Sequence, residues 1–252
     1  MSLSDEELER YARHIVLKEV GGAGQAKLRA ARVAVVGAGG LGSPCLLYLA
    51  AAGIGRVTVI DDDDVALSNL QRQVLHTTPD IGRAKVASAA DAIARINPGV
   101  VVDGKRLRLD AANARELLAG HDIVADGSDS FATRRAVADA AHALRIPLVA
   151  AAIGPFEGQI STYRGWEEDK PCWRCFAGEA ADRDGTSCAD AGVIGALAGI
   201  VGAMQALEVI REIVGFGDSL AGRLVLYDAL GARMRTIRLP KDPECPACAR
   251  AG

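Results

Sequence analysis

The segment Arg32–Gly42, RVAVVGAGGLG, restricts the fold more than any other part of the chain. Its apolar, β-branched run Val33–Val36 reads as a strand buried on both faces, the habit of parallel sheets. The glycines at 37, 39, 40 and 42 let the backbone turn sharply and approach a ligand closely, and the apolar run from Leu41 to Ala52 continues as a helix. A strand that turns through glycines into a helix presents free N–H groups and the positive end of a helix dipole, which suits phosphate. Asp61 ends the next predicted strand, Arg56–Asp61, where a carboxylate accepts from ribose hydroxyls. Alone, this pattern fits a dinucleotide as well as ATP.

The alternation continues downstream. Helices are predicted over Arg83–Ile96, stopped by Asn97-Pro98-Gly99, and over Ala112–Ala119 and Ser130–Leu144. Strands are predicted at Val100–Leu107, His121–Ala125 and Pro147–Ala151. Together they give an α/β fold, a doubly wound Rossmann-like sheet with a parallel N-terminal half. Beyond residue 155 the strands Gly158–Arg164, Gly222–Asp228 and Met234–Leu239 alternate in polarity, and an antiparallel C-terminal half is expected to continue the same sheet. Residues 2–30 read as helical segments broken at Gly21-Gly22 and Gly24. One domain results, with an arm at 1–30, a nucleotide-binding half at 31–155 and a second half at 156–252. The stretch 178–190 lacks periodicity and reads as a mobile surface loop.

A formal net charge of −3 gives no field that would draw the chain to nucleic acid or an anionic membrane. The charged N-terminus lacks the apolar core of a secretory signal. The uncharged run Ala191–Leu207 is rich in Gly and Ala and contains Gln205, which suits a buried helix, with Gly195 and Gly199 at a close helix contact inside the core or at a subunit interface. The expected location is the cytoplasm.

Arg72 and Lys85 favour a triphosphate over a dinucleotide. Cleavage between the α- and β-phosphates needs positive charge on both sides of the break, whereas a glycine loop already serves a diphosphate. Either cation alone would read as a solvated surface group. In Asp126-Gly-Ser-Asp129-Ser130, at the end of the fourth strand, a carboxylate could hold Mg²⁺ against phosphates. Asp126 or Ser130 could instead cap the next helix while Asp129 serves the metal. Cys172-x-x-Cys175 and Cys245-x-x-Cys248 form two pairs beside prolines, the pattern of a closed, structural tetrahedral zinc site. Cys45 lies in an apolar helix and reads as a small core residue. His14, His76, His121 and His142 show no ligand spacing, and His14 reads as a packed or capping group.

Several segments together carry a specific resemblance. Glu9-Arg-Tyr-Ala-Arg13-His14, Gly37–Gly42, Ser68-Asn-Leu-Gln-Arg-Gln73, Gly82-Arg-Ala-Lys85, Gly158-Gln-Ile160, Pro171-Cys-Trp-Arg-Cys175, Cys188-Ala-Asp-Ala-Gly192 and the final cysteine pair occur in one order along nearly the whole chain. The chain resembles the MoeB/ThiF family, adenylyltransferases of molybdopterin and thiamine biosynthesis that share their design with ubiquitin-activating enzymes. The resemblance implies ATP-dependent adenylylation of the C-terminal glycine of a ubiquitin-like sulfur-carrier protein ending in Gly-Gly, which would dock on the 156–252 half. It implies that Gly39 and Gly40 approach phosphate, that Asp61 holds ribose, and that Asn69, Arg72 and Lys85 contact phosphate or ribose. Asp63 matches the pattern too, while Asp62 reads as exposed. Asp129 would bind Mg²⁺, and Arg13 would reach the triphosphate of a neighbouring subunit, making the enzyme a homodimer. Ser130 departs from the Asn common at that place.

The family also places a cysteine at Cys188, which serves persulfide or acyl-linked transfer in some members and is dispensable in others. Asp184 and Asp190 nearby would raise its pKa, so a nucleophile there is secondary. The chain ends four residues after Cys248, without a rhodanese-like extension, so a separate sulfur donor is expected. Two alternatives stand beside this reading: an NAD(P)-dependent oxidoreductase and a silent carrier-binding scaffold.

Overall fold

The computed structural model describes residues 3–178 and 192–249. Its strands are β1 (Arg32–Val36), β2 (Arg56–Ile60), β3 (Val101–Lys105), β4 (Ile123–Asp126), β5 (Leu148–Ile153), β6 (Glu157–Tyr163), β7 (Arg223–Asp228) and β8 (Arg233–Arg238). They form one sheet in the order β3-β2-β1-β4-β5-β6-β7-β8. Pairing is parallel from β3 through β5 and antiparallel from β5 to β8. The strand order reverses between β1 and β4, which opens a crevice at their carboxyl ends, the usual place for a ligand in such sheets.

The alternation of side chains along the strands builds two cores. Val33, Val35, Val57, Val59, Ile123 and Val149 face one side. There they meet α4 (Gly42–Ala52), α5 (Lys85–Ile96) and the long helix α9 (Gly195–Val214). Ala34, Val36, Val124, Leu148 and Ala150 face the other side, against α6 (Ala114–Leu118) and α7 (Phe131–Leu144). Gln205 of α9 is fully buried, and its Nε2 donates to the carbonyls of Asp126 (2.9 Å) and Val149 (3.0 Å), bracing β4 to β5 where the crevice opens.

The N-terminal arm comprises α1 (Asp5–Arg10), α2 (Ala12–Ile15) and α3 (Gly21–Ala30). Ser4 and Glu7 cap α1 reciprocally. The helical break expected at Gly21-Gly22 and Gly24 lies between Ile15 and Gly21, whose φ of +59° turns the chain into α3. Gly22 and Gly24 continue inside α3, where Gly24 lies against Val214 at the end of α9. A short helix α8 (Trp173–Ala177), unpredicted from the sequence, sits within the first cysteine pair.

Within the single chain the two members of the Gly195/Gly199 pair stand differently. A Cβ on Gly199 would meet nothing within 4 Å. Gly195 does pack closely, against the Gln71 carbonyl, and its partner in this role is Gly202, where a Cβ would lie 2.3 Å from Leu41 O and 2.5 Å from Pro44 Cγ. Alanine normally favours a helix over glycine by about 1 kcal/mol. At Gly202 overpacking against a backbone carbonyl outweighs that gain, so Gly202→Ala is expected to destabilise the fold by about 1–3 kcal/mol. Urea denaturation checks this, and the same change at Gly199 should be neutral or stabilising.

A candidate nucleotide-binding site

A cavity of about 830 Å³ occupies the crevice. Gly37, with φ +90°, turns the chain out of β1, and Gly42 passes so close to the Gly37 carbonyl that a Cβ there would lie 1.8 Å from it. Gly39 and Gly40 line the cavity, and their N–H groups have no partner among the described residues. Two partner-free N–H groups in one cavity wall suit an anion, in line with the sequence pattern. Gly42 shapes the loop from behind and is absent from the lining.

Charged groups ring these glycines. Lys85 opens α5 with its side chain 6% exposed, and its Nζ donates to Asp63 Oδ2 at 2.8 Å. Arg72 donates to the Ser68 carbonyl at 3.1 Å and lays its aliphatic stem near Gly40. Asp61 accepts from the Ala38 N–H at 2.8 Å and the Asp63 N–H at 2.9 Å. Burial raises its pKa, against the lowering influence of Lys85 and these N–H groups. Each carboxylate oxygen keeps a lone pair for a further donor.

The three acidic-turn roles separate cleanly. Ser130 caps α7 by accepting from Thr133 N–H at 3.4 Å, and Asp126 is buried and accepts from Ser128 N–H at 2.9 Å. Asp129 is exposed in the cavity wall, with no hydrogen bond or ion pair among the described residues. A free carboxylate facing a phosphate cradle is a fitting donor for Mg²⁺.

Sequence reasoning missed Arg134, which also lines the cavity. It donates to the carbonyls of Ala151 (2.8 Å) and Ser128 and has no carboxylate partner among the described residues. Its spacing of four from the Ser130 cap is the signal that would have found it, since it places Arg134 in the first turn of α7. Asp62, read as merely exposed, joins the lining as well. At the far end Phe131 and Trp173 meet with ring centroids 5.2 Å apart, and both face the cavity.

The four paired cysteines converge beside α8. Their sulfurs all lie within 4.8 Å of one another, with Cys172–Cys175 at 3.8 Å, Cys172–Cys245 at 3.6 Å and Cys175–Cys248 at 3.4 Å. A tetrahedral zinc with Zn–S bonds of about 2.3 Å requires S···S separations near 3.8 Å, so the donor set fits. Burial raises the Cys172 thiol. Cys45, by contrast, is wholly buried away from this cluster, its thiol pushed up to about 12. That is the inert core residue expected.

The chain matches the ThiF family over residues 11–247. It belongs to that family. Among curated relatives, the Thermus thermophilus sulfur carrier protein adenylyltransferase is 45% identical, over 98% of this chain and 93% of its own. The Escherichia coli molybdopterin-synthase adenylyltransferase is 40% identical over 98% of both. Among solved structures, E. coli MccB with MccA-N7isoASN superposes with a TM-score of 0.84 at 21% identity, covering 95% of this chain and 74% of that one, and shares the fold.

Not every residue drawn from the family pattern meets in the cavity of this ThiF-family chain. Asn69 lies outside the lining, and its Oδ1 accepts from Ala66 N–H at 3.2 Å, capping the short turn Leu67–Asn69. Arg13 stands exposed on α2, outside the cavity and without an ion pair among the described residues. His14 Nδ1 lies 3.0 Å from Gln25 Oε1, the packed position expected for it. Cys188, Asp184 and Asp190 lie outside the described residues. No helix among the described residues is long and apolar enough to cross a membrane.

Proposed function

We propose that this ThiF-family chain adenylylates the C-terminal glycine of a ubiquitin-like sulfur carrier ending in Gly-Gly, consuming ATP and releasing pyrophosphate. The observation that carries this reading is the meeting of partner-free Gly39 and Gly40 N–H groups, Arg72, Lys85 and the unpaired Asp129 around one cavity. The carrier carboxylate is ionised at neutral pH and attacks the α-phosphorus. A carboxyl–phosphorus bond forms, the α–β bridge bond breaks, and its electrons leave on pyrophosphate. No protein nucleophile or base is required, so catalysis rests on position and charge.

Lys85 exchanges Asp63 for phosphate, Arg72 neutralises charge from the other side, and Asp61 holds the ribose. Asp63 turns from partner of Lys85 to a solvated carboxylate at the rim. Mg²⁺, held by Asp129, would shield the triphosphate charge, and zinc in the four-cysteine cluster would be structural. Arg13, exposed and unpaired, is available to a second copy of the chain, consistent with a homodimer that shares sites across its interface. The carrier body docks on the 156–252 half, a separate protein supplies sulfur, and the setting is the cytoplasm. Molybdopterin and thiamine synthesis both use such chemistry, and Cys188 is reserved for any covalent step after adenylylation.

ATP–pyrophosphate exchange by the purified protein, with and without carriers ending in Gly-Gly, tests the proposal. Exchange that depends on one carrier supports it and points to the pathway. ATP binding with no exchange for any carrier would favour the scaffold, and stabilisation by a nicotinamide cofactor but not by ATP would favour the oxidoreductase. Neither relative named above is an oxidoreductase.

A further inference from the structure

His76 has no place in the chemistry above, yet it is buried directly beneath the phosphate loop. Its Nε2 lies 2.9 Å from the Ala38 carbonyl and its Nδ1 2.8 Å from Ser88 Oγ on α5. A carbonyl only accepts, so Nε2 must carry the proton. Burial disfavours the imidazolium, which leaves Nδ1 to accept from the Ser88 hydroxyl. The Ala38 N–H is meanwhile held by Asp61 at 2.8 Å, so the residue is fastened at both of its backbone polar groups.

The consequence falls on the next residue. In a planar trans peptide the carbonyl and the following N–H point in opposite directions. With the Ala38 carbonyl drawn down to His76, the Gly39 N–H is turned the other way, and Gly39 lines the cavity with that N–H unpartnered. The loop needs such a restraint because Gly39 has no Cβ to oppose a peptide flip. A flipped Ala38–Gly39 peptide would aim a carbonyl dipole at the phosphates in place of an N–H.

We propose that His76 is a positioning residue, a latch that keeps the Ala38–Gly39 peptide in its anion-binding orientation, with Ser88 fixing the tautomer. The inference rests on the nucleotide reading of this cavity. It is tested by equilibrium binding of ATP and of adenosine to the full-length protein, its His76→Leu and His76→Gln variants, and a Ser88→Ala variant. Loss of the latch in H76L should weaken ATP by about tenfold, the scale of one buried hydrogen bond, while adenosine, which has no phosphate, changes by less than about twofold. The Gln side chain can place an amide N–H near the Nε2 position, so H76Q should restore most of the ATP affinity.

A merely structural histidine would lower ATP and adenosine affinity together, or neither, and either pattern in a folded H76L overturns the latch. Failure of H76Q to rescue also overturns it. If H76L does not fold, S88A is read in the same way: selective loss of ATP supports the latch and parallel loss rejects it. Wild-type protein that binds no ATP removes the nucleotide reading, and the latch with it.

Discussion

Lys85→Ala is expected to lower carrier-dependent ATP–pyrophosphate exchange by about 10²–10³, or roughly 3–4 kcal/mol of transition-state stabilisation. The fold should survive the change. Lys85 is almost fully buried, but its partner Asp63 is 66% exposed, so the orphaned carboxylate is solvated rather than trapped. Losing a pair with one exposed member costs about 0–1 kcal/mol. The catalytic loss should therefore exceed the stability loss severalfold, which separates a chemical role from a packing one. Arg72→Ala and Asp129→Ala should fall in the same catalytic range, since Arg72 is half-buried, Asp129 is exposed, and neither is in an ion pair among the described residues. Near-normal exchange in all three variants would sink the assignment of this cavity.

The second large effect concerns the cysteine cluster. Purified protein should contain one zinc per chain, and a strong chelator or Cys245→Ser should melt the C-terminal segment and much of the fold with it. Structural zinc contributes on the order of 10 kcal/mol to folding, comparable with the roughly 5–15 kcal/mol that holds a whole domain together. Cys245 and Cys248 are buried, and beside them Lys241 Nζ donates to the carbonyls of Gly165 (3.0 Å) and Glu167 (2.9 Å). Two such charge-assisted hydrogen bonds, at about 1.5–3 kcal/mol each, do not replace the metal. Because buried Trp173 directly follows Cys172 and lines the cavity, its fluorescence should change on chelation as well. Metal-free protein with an unchanged melting temperature would overturn the zinc assignment.

The sheet was legible in the sequence because its signal is local. Val33–Val36, Val57–Ile60 and Ile123–Ala125 are apolar runs of strand length, and each gives way to Gly, Asp or both at the cavity edge. The cradle was legible for the same reason, since Gly37 to Gly42 carry their meaning in adjacent positions. What escaped depends on contacts between distant segments. The use of Gly24 and Gly202 follows from what lies opposite them, Val214 and the Leu41 carbonyl, and no helical pattern reports that. His76 shows no ligand spacing because its partners are a backbone carbonyl and a serine, far apart in the chain. Asn69 was placed by family pattern in contact with nucleotide, yet in the single chain its carbonyl oxygen is committed to a local turn. Arg13 is legible only as an expectation about a second subunit.

The unbroken pairing of β5 with β6, six residue pairs from Leu148–Tyr163 to Ile153–Gly158, has a mechanical consequence. The half that lines the cavity and the half proposed to dock the carrier are parts of one continuous sheet, not two bodies on a hinge. A jaw-like closure between them would shear that ladder. On the proposed function, the geometry between carrier dock and phosphate cradle is set by this sheet, and the length of the carrier's tail becomes a ruler read against a fixed distance.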